Sequence, residues 1–222
     1  MWIELHAHTR EGSPCARVSA AETVAIYRRA GYDALVITNH FDDGLLADFG
    51  ATDRERVDRY LLGYERALAA AGAGIQVWLG MEVRLNAGVE DYLIYGIDRD
   101  FCYRHADLCR LDQRALYDLC RREGARLYQA HPCREPCAPQ NPRYLHGYEL
   151  NQRPGAGNRN GLVAAAFASS PALQAISGSD FHRPQDAAWG GIQVEESLHS
   201  GRELADFLAR RQPRLIQRGD AP

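Results

Sequence analysis

MWIELHAHTREGSPC (1–15) opens the chain, and its strand-like run IEL (3–5) ends on two histidines one residue apart, His6 and His8. Successive side chains of a strand point to opposite faces, so these two imidazoles look the same way. Near the other end of the chain, ISGSDFHRP (176–184) repeats the spacing with Asp180 and His182. Two such pairs brought together make a metal site.

Outward from these segments, apolar runs alternate with helical patterns across short polar connections, the signature of βα units around a parallel sheet. Strands are expected at ALVIT (34–38), IQVWLG (75–80), DYLIYGI (91–97), RLYQA (126–130), GYEL (147–150) and LQAIS (173–177), with short ones at IQVE (192–195) and LIQ (215–217). That makes about seven core strands. Helices are expected over 19–31, 52–72, 111–124 and 160–170, and from Ser200 to Arg211. Ser19 with Glu22, Thr52 with Glu55 and Ser200 with Glu203 have the spacing of capping boxes.

At or just past the strand ends stand His6, His8, His40, Glu82, His131, Asp180 and His182. In α/β barrels the loops at the carboxyl face of the strands converge on the active site. Imidazoles and carboxylates together are the ligand set of zinc, manganese and iron. His105, His146 and His199 have no such placement and read as structural or exposed.

Composition limits the alternatives. A chain of 222 residues with 45% hydrophobic content and a net charge of -3 fits one soluble domain over 1–222, without the basic excess of a nucleic-acid binder. All 26 basic residues are arginine. The absence of lysine removes Schiff-base, P-loop and Ser/Lys chemistry. No secretory signal pattern and no apolar run of the ~18 residues needed to span a bilayer is present, so a cytoplasmic location is expected, with six reduced cysteines. Cys133 and Cys137 frame CREPC after His131, but no second pair completes a zinc knuckle. GAGNRNG (155–161) has the look of a nucleotide loop, yet Arg153 and Pro154 disturb the strand-turn join and dinucleotide binding is not expected.

The series HAH, ITNH, GMEV, QAHP and SGSDFH, in that order over nearly the whole chain, resembles the PHP (polymerase and histidinol phosphatase) superfamily. The resemblance implies a distorted seven-stranded (β/α)7 TIM-like barrel of the α/β class, with two or three divalent ions (Zn, Mn or Fe) at its mouth. It also implies phosphoester hydrolysis through a metal-bridging hydroxide. Carried over, His6, His8, Glu82 and Asp180 resemble ligands of one ion, Glu82 bridging to a second that takes His131. His40 and His182 resemble ligands of a third. Two positions depart from the pattern. Glu11 is the acidic candidate downstream of HAH for the third ion, and Asp91 stands where a histidine is usual for the second. Asn39 replaces a more usual aspartate. Glu82 and Asp180 would set the nucleophilic ion, with His182 or His40 assisting proton transfer.

The expected substrate is a small phosphorylated molecule, most simply a monoester, with nucleic acid and membranes disfavoured and the number of copies left open. Its phosphate would need donors beyond the ions, and Arg153, Arg159, Arg183 and Arg134 lie on loops after barrel strands, with Arg10 a weaker candidate. Two rivals stand beside this reading. One is metal-dependent hydrolysis of a C–N bond, as in amidohydrolase barrels, where the usual modified lysine is missing. The other is a PHP-like accessory module without catalysis, against which the retained ligand types argue.

Overall fold

The computed structural model describes residues 1–217, 219 and 220. Along the chain run β1 (Trp2–Ala7), α1 (Ala20–Arg29), β2 (Ala34–Ile37), β3 (His40–Phe41), α2 (Asp43–Phe49), α3 (Asp53–Ala71), β4 (Gln76–Arg84), β5 (Asp91–Tyr95), α4 (Arg99–Arg104), α5 (Gln113–Glu123), β6 (Arg126–Gln129), β7 (Gly147–Asn151), α6 (Asn160–Phe167), β8 (Gln174–Gly178), β9 (Gly191–Gln193), α7 (Gly201–Arg210) and β10 (Arg214–Ile216). The order β1-β2-β4-β5-β6-β7-β8 gives seven core strands, and a parallel bridge between Ala7 and Phe181 joins the last back to the first. This is the distorted α/β barrel expected. Strands β9 and β10 extend the sheet beyond β1 through antiparallel pairing.

Local chemistry accounts for the helix starts. Ser19 and Glu22 close a full capping box on α1, as Thr52 and Glu55 do on α3, and each box satisfies two orphan backbone donors. The third expected box is only half made. Ser200 accepts from the Glu203 backbone, but the Glu203 carboxylate turns to His199 N at 2.9 Å. The short helices α2 and α4 carry too few turns to show an apolar period, so the pattern missed them.

Strand β5 corrects the expectation of a parallel sheet, because it pairs antiparallel with both β4 and β6. Its beginning, rather than its end, therefore reaches the barrel mouth, which is how Asp91 arrives there. Strand β4 is longer than its apolar pattern suggested and runs past Glu82 to Arg84. Its first half pairs with β2 and its second with the two-residue β3, in a register that sets His40 opposite Glu82.

The interior is apolar below the mouth. Ile3, Leu5, Val36, Trp78, Leu93, Tyr95, Tyr128 and Ile176 form one cluster, which Leu204, Phe207 and Leu208 of α7 join. A register shift lies between Glu4 and Ala7. Glu4 reaches Tyr27 of α1, and Ala7 packs with Leu35 and Ile37 against the same helix layer. His6 and His8 instead turn to the mouth. The irregularity thus re-aims a ligand strand, a use to which β-bulges near active sites are often put. Among the described residues, no helix is long and apolar enough to cross a membrane.

Candidate metal centre

Five of the expected ligands converge at the mouth around a sixth, Glu82, which is buried within β4. Its Oε1 lies 3.2 Å from His6 Nε2 and 3.0 Å from His131 Nε2. Its Oε2 lies 3.2 Å from His8 Nε2 and 2.9 Å from His40 Nδ1. Asp180 Oδ1 stands 3.5 Å from both His6 Nε2 and His8 Nε2, which are themselves 3.1 Å apart. Donor atoms sharing one tetrahedral ion through bonds of about 2.0–2.2 Å lie roughly 3.3–3.6 Å from one another. Buried imidazoles facing one another at this spacing, with carboxylates between them, fit a cation better than they fit each other.

The backbone and the outer hydrogen bonds fix which nitrogen is offered. His131 and Asp180, just beyond β6 and β8, have positive φ angles of 30° and 48°, conformations that cost roughly 1–3 kcal/mol each in a residue other than glycine. His6 Nδ1 donates to Glu149 Oε1 at 2.8 Å, so Nε2 keeps its lone pair for the cluster. A relay does the same for His8. Asn39 Oδ1 accepts from Ser13 Oγ at 3.2 Å, leaving the Ser13 oxygen to accept from His8 Nδ1 at 3.0 Å. Asn39 also accepts from Thr9 N at 2.8 Å, so the amide standing in for aspartate still holds the loop. His182 Nδ1 donates to the Asp180 carbonyl at 2.9 Å.

Two supporting carboxylates carried no sequence signal. Glu149, fully buried on β7, receives His6 Nδ1, the His131 backbone N–H and Asn151 Nδ2. Glu4 receives the backbone N–H groups of His6 and Ser179, both at 2.9 Å, and so ties the two ligand strands together. Burial pushes its carboxyl up to about 7 against the pull of those bonds. Each sits mid-strand among apolar neighbours, where only the closed barrel reveals its partner.

Glu11 is a correction. Its carboxylate accepts from Ala20 N at 2.9 Å at the start of α1 and faces Arg66 at 3.5 Å, while Arg59 donates to its carbonyl. The N-terminus of a helix and an arginine together attract a carboxylate, and they turn this one away from the mouth. Cys15 lines the rim of the cleft instead, together with His40 and His182. Asp91 does reach the cluster, 3.9 Å from His131 Nε2, but a bidentate bond from Arg84 at 2.8 and 2.7 Å holds it.

Of the arginines, Arg134 is fixed by Asn151 and Asn158 and donates to Asp180 Oδ2 at 2.6 Å, and Arg153 lies 3.6 Å from the same oxygen. Both line the cleft of about 330 Å³ over the cluster, and both also line an adjoining hollow of about 580 Å³ that Arg183 shares. Arg159 pairs with Glu135 in solvent instead, and Arg10 is exposed. His105, His146 and His199 lie elsewhere: His105 beside Phe101 and Glu123, and His146 accepting from Leu127 N.

Electrostatics set the terms for a cation. Burial, with charge on His182 and His40, lowers His8 to about 4, so it stays neutral. For His131 and His182, burial is outweighed by Glu82 and Asp180 respectively, together with nearby thiols, and both rise to about 9. A cation must displace those protons. Ion affinity is therefore expected to weaken as the pH falls below about 9. Titration calorimetry in buffers of different ionisation enthalpy checks this, and an affinity flat across neutral pH would contradict it.

A distorted seven-stranded α/β barrel with a His/Asp/Glu cluster at its mouth is thus what fold and site define. Solved structures share the fold at low identity. PsfC from Pseudomonas syringae matches with a TM-score of 0.64 at 16% identity, covering 98% of this chain and 91% of that one. A lesion-specific endonuclease, PfuEndoQ from Pyrococcus furiosus, matches with a TM-score of 0.63 at 11% identity, covering 96% of this chain and 57% of that one. A candidate metal-dependent phosphoesterase from Bifidobacterium adolescentis matches with a TM-score of 0.51 at 14% identity, covering 94% and 96%. No family profile matches the sequence, and no curated protein matches it.

Proposed function

We propose that the chain is a metal-dependent phosphoesterase acting on a small phosphorylated substrate, most simply a monoester. The observation that carries this reading is Glu82, whose two oxygens each face two imidazoles at 2.9–3.2 Å while arginines 134 and 153 overlook the same cleft. His6, His8, Glu82 and Asp180 would hold one ion, Glu82, His131 and Asp91 a second, and His40 and His182 a third. Two or three bound divalent cations, zinc, manganese or iron, would acidify water and neutralise charge building on the phosphoryl oxygens. Arg153 and Arg134 orient the phosphate by forked donation. His40 and His182 are the groups able to hand a proton to the leaving oxygen when no ion claims them. The absence of lysine disfavours the amidohydrolase reading, and the converging imidazoles and carboxylates disfavour an inert module.

Phosphate release from an aryl phosphate, compared with an aryl phosphodiester and an aryl amide, with and without added manganese, tests the proposal. Turnover of the amide alone would sink it. Arg153→Met removes a charged donor worth about 1.5–3 kcal/mol, so KM for the phosphate ester should rise roughly 10- to 150-fold. With kcat little changed, that pattern would mark ground-state phosphate binding. An unaltered KM would exclude Arg153 from the substrate's path.

A further inference from the structure

The loop after β6 returns on itself through two turns, Arg134 N bonding His131 O at 3.0 Å and Cys137 N bonding Arg134 O at 2.6 Å. This brings Cys137 back beside His131, with its thiol 3.6 Å from the Val89 carbonyl oxygen and the buried His131 Nδ1 left without a hydrogen-bond partner among the described residues. The ligand atoms of Asp91, His131 and Cys137 all lie within 4.8 Å of one another. Tetrahedral zinc with bonds of about 2.0–2.3 Å needs such atoms roughly 3.3–3.8 Å apart, so an adjustment on the order of an ångström would close the trio. The other thiol of CREPC is placed differently, since Cys133 packs against the apolar cluster under α5.

Charge gives the trio its direction. Both oxygens of Asp91 are engaged by the Arg84 fork, so its negative charge is largely neutralised before any cation arrives. Glu82 is shared among four imidazoles. A divalent ion beside His131 therefore lacks an anionic partner of its own. A thiol at this position supplies one, because coordination deprotonates it outright and releases the proton to solvent.

Resting on the reading of the mouth as a metal cluster, we propose that Cys137 is a thiolate ligand of the second ion, together with His131, Asp91 and the bridging Glu82. A sulfur ligand biases this position toward zinc, iron or cobalt and away from magnesium and manganese.

Cobalt(II) titration of the metal-free full chain tests this by spectrum, independently of turnover. Thiolate bound to cobalt gives a near-ultraviolet charge-transfer absorption, which should appear in the unaltered protein and in Cys15→Ser and Cys133→Ser, and vanish in Cys137→Ser. The visible cobalt bands from imidazole and carboxylate ligands should persist in Cys137→Ser. Its weaker ion should be lost at least as readily as after outer-ligand changes, roughly 10–100-fold in affinity. Alkylation mapping is the second measurement, and zinc should protect Cys137 while leaving Cys133 unprotected. Cobalt uptake without the ultraviolet band, or a band abolished by Cys15→Ser and kept by Cys137→Ser, overturns the thiolate and leaves the cluster standing. No cobalt uptake at all overturns both.

Discussion

Glu82→Gln is expected, if the proposed phosphoesterase reading holds, to reduce turnover by on the order of 10³-fold or more, since ion-based stabilisation of a phosphoryl transition state is worth several kcal/mol and each 1.36 kcal/mol is tenfold. The change keeps the volume of the side chain and removes its charge. Burial alone would raise the Glu82 carboxyl, yet charge on His6 and His40, with the bonds from His131 and His40, holds it well below the ordinary range. It is therefore anionic at neutral pH, and its two oxygens lie within about 3.2 Å of four imidazoles drawn from three segments of the chain. An amide cannot supply two anionic oxygens, so bound metal measured by elemental analysis should fall by at least one ion per chain. Full metal content combined with turnover within tenfold of the unaltered protein would show that Glu82 does not bridge.

Gly178→Ala should injure the same site from behind. A Cβ there would lie 2.6 Å from Glu149 Oε1 and 2.6 Å from the His6 Cβ, in the middle of the contact that orients His6. Neither neighbour has room to retreat, for both are fully buried. Overpacking of this kind costs about 1–3 kcal/mol of stability. Prising Glu149 from His6 should also weaken ion binding roughly 10–100-fold, as loss of an outer hydrogen bond to a ligand does. Urea unfolding of the metal-free protein and a metal titration read the two effects separately. Gly161→Ala, whose Cβ meets open space, is the control that should move neither greatly. If Gly178→Ala behaves like that control, the close seat of His6 has no energetic weight.

Much of this centre was legible in the sequence, for a physical reason. Ligands at strand ends inherit their position from the barrel, so a run such as ITNH or QAHP states both the strand and the group it delivers. What stayed hidden depended on the path of the chain in three dimensions. Glu4 carries no signal in the sequence; a register shift follows it on β1, and only its bonds to His6 N and Ser179 N reveal its support. Glu11 is the acidic candidate that follows HAH most closely in the sequence. Proximity in sequence could not show that Ala20 N and Arg66 would claim it. Asp91 was placed at the mouth by resemblance, whereas its route there is a strand reversal that no apolar pattern encodes. Cys137 was visible as a cysteine, while its neighbours were set by the turns of the preceding loop.

The bridge between Ala7 and Phe181 carries a further consequence. It is made by Phe181 N donating to His6 O and His8 N donating to Phe181 O, both at 3.0 Å. Each partner in this clasp is flanked by ligand residues, His6 and His8 on one side and Asp180 and His182 on the other. Any cation gripped by both pairs therefore also fastens the first strand to the last, and anything that strips the cation loosens the hoop where the barrel meets itself. Catalytic competence and resistance to unfolding then rise and fall with the same occupancy, by mass action on one closure.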